Sequence, residues 1–348
     1  HVFREMVIGS NIRNYLHKYF FLVGKNRKNL ILLVGLFLIS SMLDMLSIGL
    51  IAPFIAVITA PETLSNYSFW NTFESILGIT EIHSSLILLG TTIIVIFFVK
   101  GVTGYWVKKS IVKYALGIMS ELTCRLMSAY QRMPYQFHIK RNTSSLILAT
   151  SGHTANFAHH TLIQSLGLCA EAIVVIMIMA LLAATNYVVM ISMSILLTLV
   201  YLIYNKIVRH RIQNIGKNTA TANEGIIKGV KQGIEGLKEI RVYGSESYFH
   251  NKVKSSSVDF ADFSSQFAAL KIIPQYLFEF TIVSFVIGLC IITIFIYQGS
   301  TDPFPIIGMF GVAAMRLIPS ANRISQAIIS LRFGSFAMSE LYRDVNET

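Results

Sequence analysis

The sequence predicts an all-α membrane protein with six transmembrane helices whose helical pattern runs on well beyond the membrane. Three observations predict it. The 348 residues are 53% hydrophobic and only 14% charged, against about 25% charged in soluble domains. Long apolar runs recur along the chain. The cations flank those runs instead of clustering on a soluble face, so the net charge of +11 is read as membrane topology and implies no nucleic-acid partner.

Residues 1–28 mix Arg4, Arg13, Lys18, Lys25, Arg27 and Lys28 with Tyr15, Tyr19, Phe20 and Phe21. That is the pattern of an amphipathic helix on the cytoplasmic membrane surface, with a soluble tail as the alternative. The first span runs from Leu30 to Thr59, interrupted by Asp44 and closed near Pro53. The second begins at Leu86, and its pattern continues past Lys100, Gly101 and Gly104 as far as Arg132. After Pro134 the chain turns, passes residues 142–150, and re-enters the membrane from about Thr161 to Ala184. Asn186 marks a tight turn, and the fourth span starts at Tyr187, ends near Tyr204 and again runs on as helix past Arg209, Arg211, Lys217 and Lys228. Gly225, Gly229, Gly233 and Gly236 recur at near-helical spacing; since glycine weakens a helix, close backbone approach is the expected reason. The fifth span covers Ile272 to Tyr297. The sixth lies in the stretch from Pro303 to Asp344, where Arg316, Ser320, Arg323, Gln326 and Ser330 fall on one helical stripe.

The outer loops 61–85, 185–186 and 298–303 contain no Lys or Arg. By the positive-inside rule both termini and the two long connections are cytoplasmic, in a cell inner (plasma) membrane. Trp70 and Tyr67 suit an outer interface. Cys124, Cys169 and Cys290 form no C-x-x-C pair, so neither a disulfide framework nor a zinc site is expected. His153 and His160 share a helical face without a third ligand in spacing. No paired carboxylates and no nucleophile–base set stand out, so no catalytic and no metal-binding residue is expected.

Two membrane hairpins carrying long cytoplasmic helices, followed by a third hairpin, resemble the transmembrane domain of a type IV ABC exporter. Two stretches resemble the lipid-linked oligosaccharide flippase branch of that family. One is Leu43 to Ile55, where Asp44 precedes Pro53-Phe54-Ile55; the other is Arg316 to Ile324, with Pro319 and Arg323. Leu237-Lys238-Glu239-Ile240, with Glu246 and Phe249, is similar to the family's exit from its second coupling helix. The resemblance implies a cytoplasmic segment 1–28, a transmembrane domain 29–335, and at 336–348 the start of a linker to an ATP-binding domain outside this chain. It also implies coupling helices near residues 142–150 and 221–228, with ATPase contact through Asn142, Thr143, Ser144, Ser145, Thr221, Ala222, Asn223 and Glu224. No G-x-x-x-x-G-K-[ST] loop is present. ATP and Mg would therefore enter through a domain in cis beyond Thr348 or through a separate subunit. A second copy of the chain, membrane lipids and a lipid-linked substrate are the other implied partners.

Measured from the outer ends of the spans at ~1.5 Å per residue, Arg316 lies ~18 Å deep, Lys100 and Glu171 ~21 Å, Asp44 ~24 Å, Glu279 ~27 Å and Arg323 ~28 Å. Charge is thus confined to the middle and inner half. This fits a cavity open to the cytoplasm, with Arg316, Arg323, Lys100 and Glu279 as substrate-binding candidates. Guanidinium suits phosphate or pyrophosphate because it stays charged and offers a bidentate fork. The alternative is that Arg316 pairs with Glu279 or Asp44 and fixes helix packing. A stripe of Lys271, Gln275 and Glu279 likewise reads as cavity lining or as a helix–helix ion pair. Rival functions are export of a peptide or another lipid and, in a different class, a membrane-embedded enzyme or channel subunit.

Overall fold

The computed structural model describes residues 2–24, 27–50, 82–296 and 304–347. Among them the chain is helical, joined by short turns, with no strand. The helices are α1 (Val2–Val23), α2 (Arg27–Gly49), α3 (Ile82–Arg132), α4 (Tyr135–Lys140), α5 (Thr143–Ile147), α6 (Thr154–Asn156), α7 (Ile163–Glu235), α8 (Leu237–Tyr243), α9 (Glu246–Ile296), α10 (Phe304–Phe333) and α11 (Ser335–Glu347). Two π-helical segments, Leu148–His153 and Phe157–Leu162, flank α6.

Four described stretches are long and apolar enough to cross a membrane, within Gly90–Arg132, Thr143–Ala183, Tyr187–Glu235 and Glu246–Ile291. The first expected span is represented by the apolar Leu32–Ser47; its continuation, with Trp70, Tyr67 and most of the outer loops, lies outside the described residues. Helix α10 occupies the position of the sixth. The 51 residues of α3 make a rod ~76 Å long. A hydrocarbon core takes up only ~30 Å, so more than half of the rod projects beyond it.

Backbone assignment runs unbroken through α7, yet its two halves are antiparallel. A β-carbon on Gly152 would sit 3.8 Å from the Asn223 amide, and in a straight helix about 70 residues would separate them by ~100 Å. Gly216 and His160 both meet Phe333. The chain therefore reverses near the expected turn at Asn186. The glycine seam also has its explanation. A β-carbon on Gly225 would lie 2.6 Å from Ser256 Oγ, and one on Gly229 2.8 Å from Val253 Cγ2, so α7 and α9 approach too closely for side chains.

The turns at the far ends of the projecting helices fall at Met133–Asn142 and Gly236–Ser245. Pro134 stands before α4, and Asn142 caps α5 by accepting from the Ser144 N–H at 3.0 Å. Gly244 closes α8 at φ +60, a conformation suited to glycine. Of the expected ATPase-contacting residues, Asn142, Thr143, Ser144 and Ser145 lie where α5 begins, with Ser144 buried. Thr221, Ala222, Asn223 and Glu224 lie elsewhere than expected: inside α7, with Ala222 buried, well short of the turn. Helical propensity continues through them, and the reversal waits for Gly236. The exposed tips are α4 and α8.

Tyr19, Leu22 and Val23 of α1 join a core with Ile118, Leu122 and Leu126 of α3 and Met338 and Leu341 of α11. Lys18 donates to Ser339 Oγ at 3.2 Å, and Tyr19 shares a 3.0 Å hydrogen bond with Ser165. Asp344, 3% exposed, pairs with Arg141 and accepts from the Tyr130 hydroxyl at 3.1 Å. Burial, with Asp344 adding, pushes the Tyr130 hydroxyl well above its ordinary pKa. The C-terminal helix is thereby tied to the first of these turns.

Candidate functional site

A cavity of about 390 Å³ opens between α2, α3, α7 and α10. Its wall is largely apolar, with Phe37, Val107, Ile111, Val112, Ile163 and Val174, and it also carries Asp44, Lys108, Gln164, Glu171, Arg316, Arg323 and Gln326. On α3 the lining residues Gly104, Val107, Lys108 and Ile111 follow i, i+3, i+4, i+7, one stripe of a helix.

Two ion-pair centres stand on this wall. In the first, Asp44 is 2% exposed and each of its oxygens meets a cation: Arg316 Nη2 at 2.6 Å and Lys100 Nζ at 2.8 Å. Lys100 also donates to Ser47 Oγ at 3.2 Å and lies 4.8 Å from the Phe97 ring centre. Three helices are joined through one carboxylate. Such a centre is expensive to break, since removing one partner of a buried pair costs ~3–5 kcal/mol. In the second centre Arg323 Nη1 donates to Glu171 Oε1 at 2.5 Å. Here the guanidinium side chain is 42% exposed and the carboxylate 14%, while Glu171 Oε2 is buried with no hydrogen-bond partner.

Of the substrate-binding candidates, Arg316 and Arg323 line the cavity, and Lys100 reaches its edge through Asp44. Between the two pairings open to Arg316, the geometry selects Asp44. Glu279 lies apart from them. It is exposed on α9, lines no part of this cavity, and forms no ion pair among the described residues. The buried stripe of α9 is Leu270, Pro274, Phe278 and Ile282, spaced by four residues; Glu279 stands one residue, ~100°, off it. Its neighbour Gln275 accepts from Asn322 at 3.4 Å, and Lys271 shares no ion pair with it. Sequence reasoning measured Asp44 and Glu171 as deep charges without assigning them to the site. It missed Lys108, for which the stripe on α3 was the signal.

His153 and His160 both line a second cavity of about 410 Å³ between α7, α9 and the α10–α11 junction. His160 contacts the rings of Phe333 and Phe267, at 4.9 and 5.7 Å between centres. Burial lowers the pKa of His153, Asp344 opposing and Arg343 adding. Among the described residues no group of three metal-ligating side chains is formed.

No protein-family model matches the sequence. Among solved structures the fold is similar to that of a bacterial Atm1-family ABC exporter with ATP bound, at a TM-score of 0.70 and 10% identity. The match covers 92% of this chain and 54% of that one, so this chain spans about half the exporter's length. At that identity the likeness is one of fold: the chain has the helical architecture of an ABC exporter transmembrane domain.

Proposed function

We propose that the chain is the transmembrane half of an ATP-driven exporter or flippase, moving an amphipathic anion, most simply a lipid-linked oligosaccharide, from the inner to the outer side of the membrane. The observation that carries this reading is the conjunction of an apolar-walled cavity bearing Arg316 and Arg323 with helices that project far past any bilayer. Projecting helices give a cytoplasmic motor a lever, and alternating access needs two global states that such a lever can switch. The motor would be an ATP-binding domain, in cis or as a separate subunit, bringing ATP and Mg. Its seats would be the exposed tips α4 and α8, with Asn142–Ser145 beside the first. Both termini would be cytoplasmic, in the inner membrane.

Glu279 supports a second copy of the chain. A carboxylate facing lipid costs ~2.5–3.5 kcal/mol at mid-depth and less toward the inner edge, where Glu279 lies, and Glu279 is exposed on the single chain. A symmetric partner covering that face of α9 would remove the cost.

The test is reconstitution of the complete transporter in proteoliposomes with a fluorescent pyrophosphate-linked glycolipid and a neutral glycolipid of equal chain length. Expected is ATP-dependent movement of the charged lipid alone, cut at least ~10-fold by Arg323→Gln, as loss of a charge-assisted contact implies. Equal movement of both lipids would refute the anion reading; movement of neither, with ATP hydrolysis intact, would point to a peptide or another lipid.

A further inference from the structure

Resting on the anion-site reading above, we infer that Glu171 is a resident competitor for the cavity's anchor: the substrate's anionic head must displace it from Arg323. The two ion-pair centres differ in how replaceable they are. Asp44 is enclosed and held by two cations, Arg316 on Oδ2 and Lys100 as an ion pair on Oδ1, although Oδ1, like Glu171 Oε2, accepts no hydrogen bond. Glu171 uses a single oxygen on a half-exposed guanidinium, and its other oxygen is buried without a partner. That carboxylate is poorly satisfied where it sits, and its arginine already faces the cavity. Lys108, also on the wall, has no carboxylate partner among the described residues and adds to the local excess of positive charge. A phosphate head offers more oxygens than Glu171 supplies and fills the guanidinium fork, while an alkyl chain lies along Ile111, Val112 and Ile163.

Competition of this kind weakens every anion by the same factor, so it acts as a threshold. An amphiphile ending in a carboxylate exchanges like for like with Glu171 and gains little. One ending in a phosphate is the better guanidinium ligand and clears the threshold. Glu171 thus sets the affinity threshold of the site, one below which the fatty carboxylates that abound in any membrane fall.

Binding of radiolabelled octyl phosphate and octanoate to the chain in lipid nanodiscs, corrected against empty discs, tests this. The wild type is expected to bind octyl phosphate and to show no measurable octanoate binding. Glu171→Gln should tighten octyl phosphate about tenfold and bring octanoate into range, the size expected for removing a partly exposed competing charge. Because Arg323→Gln alone strands Glu171, the double variant Glu171→Gln/Arg323→Gln serves as the loss-of-anchor control and should bind neither. If Glu171→Gln leaves both affinities unchanged while the double variant loses octyl phosphate, the anion site stands and the competitor role falls. If the double variant binds octyl phosphate as Glu171→Gln does, Arg323 is no anchor and the site reading falls with it.

Discussion

Two aspartates far apart in the sequence are buried almost alike, Asp44 at 2% and Asp344 at 3% exposure. Each ties together helices far apart in sequence through an arginine. Asp44 joins α2, α3 and α10 between the spans and shares the wall of a cavity. Asp344 joins α11 to α3 and to the Met133–Asn142 turn, beside a closely filled apolar core. The difference lies in what replaces a lost partner. Around Arg141 and Tyr130 water is close by. Around Arg316 and Lys100 the cavity wall is largely apolar, so an unpaired cation finds no inexpensive replacement. The same chemistry thus serves as an anchor in one place and as a charge store next to a binding space in the other.

Breaking the first centre should have the largest effect. Asp44→Ala leaves two cations uncompensated and is expected to cost ~3–5 kcal/mol, read as a lowered folded yield and melting temperature in nanodiscs. Asp44→Asn should recover little of that, because a neutral amide does not answer two charges. A loss no larger than that of Asp344→Asn would erase the contrast between the two sites.

Asp344→Asn is expected to cost less, ~1–2 kcal/mol, since it leaves one cation, Arg141, without its carboxylate where Asp44→Ala leaves two. Its signature is local: hydrogen exchange should rise along α11 and at Tyr130, with the spans unchanged. Protection lost throughout the molecule would mean that the C-terminal helix holds more of the fold than this comparison allows.

A pair of glycines sharpens the packing side of the contrast. A β-carbon on Gly216 would fall 2.4 Å from the Phe333 carbonyl oxygen, a backbone atom that cannot swing aside. On Gly233 it would meet Phe249 Cβ at 3.8 Å, an ordinary contact. Gly216→Ala is therefore expected to destabilise by ~1–3 kcal/mol through overpacking. Gly233→Ala should be neutral or stabilise by up to ~1 kcal/mol through helix propensity. Thermal melts of the two variants side by side decide it, and equal melting temperatures would show that the α7–α10 approach yields more readily than the structure suggests.

The sequence by itself determined what composition and periodicity encode. Apolar runs of membrane length gave the all-helical class and the positions of the spans, because every backbone polar group in lipid must be satisfied within its own segment. Helical pattern running past the membrane gave the long cytoplasmic rods, and the glycine spacing on α7 foretold a close approach. Depth along each span singled out the buried charges without pairing them. Only the tertiary structure decided the pairs: Arg316 with Asp44 and not Glu279, and Arg323 with Glu171. It also placed Lys108 on the cavity wall, left Glu279 exposed on the single chain, and set Thr221–Glu224 inside α7, before the turn at α8. The reason is geometric. Periodicity fixes a residue's azimuth on its own helix, but which helix it meets depends on how several rods are rotated against one another, and no single segment carries that information.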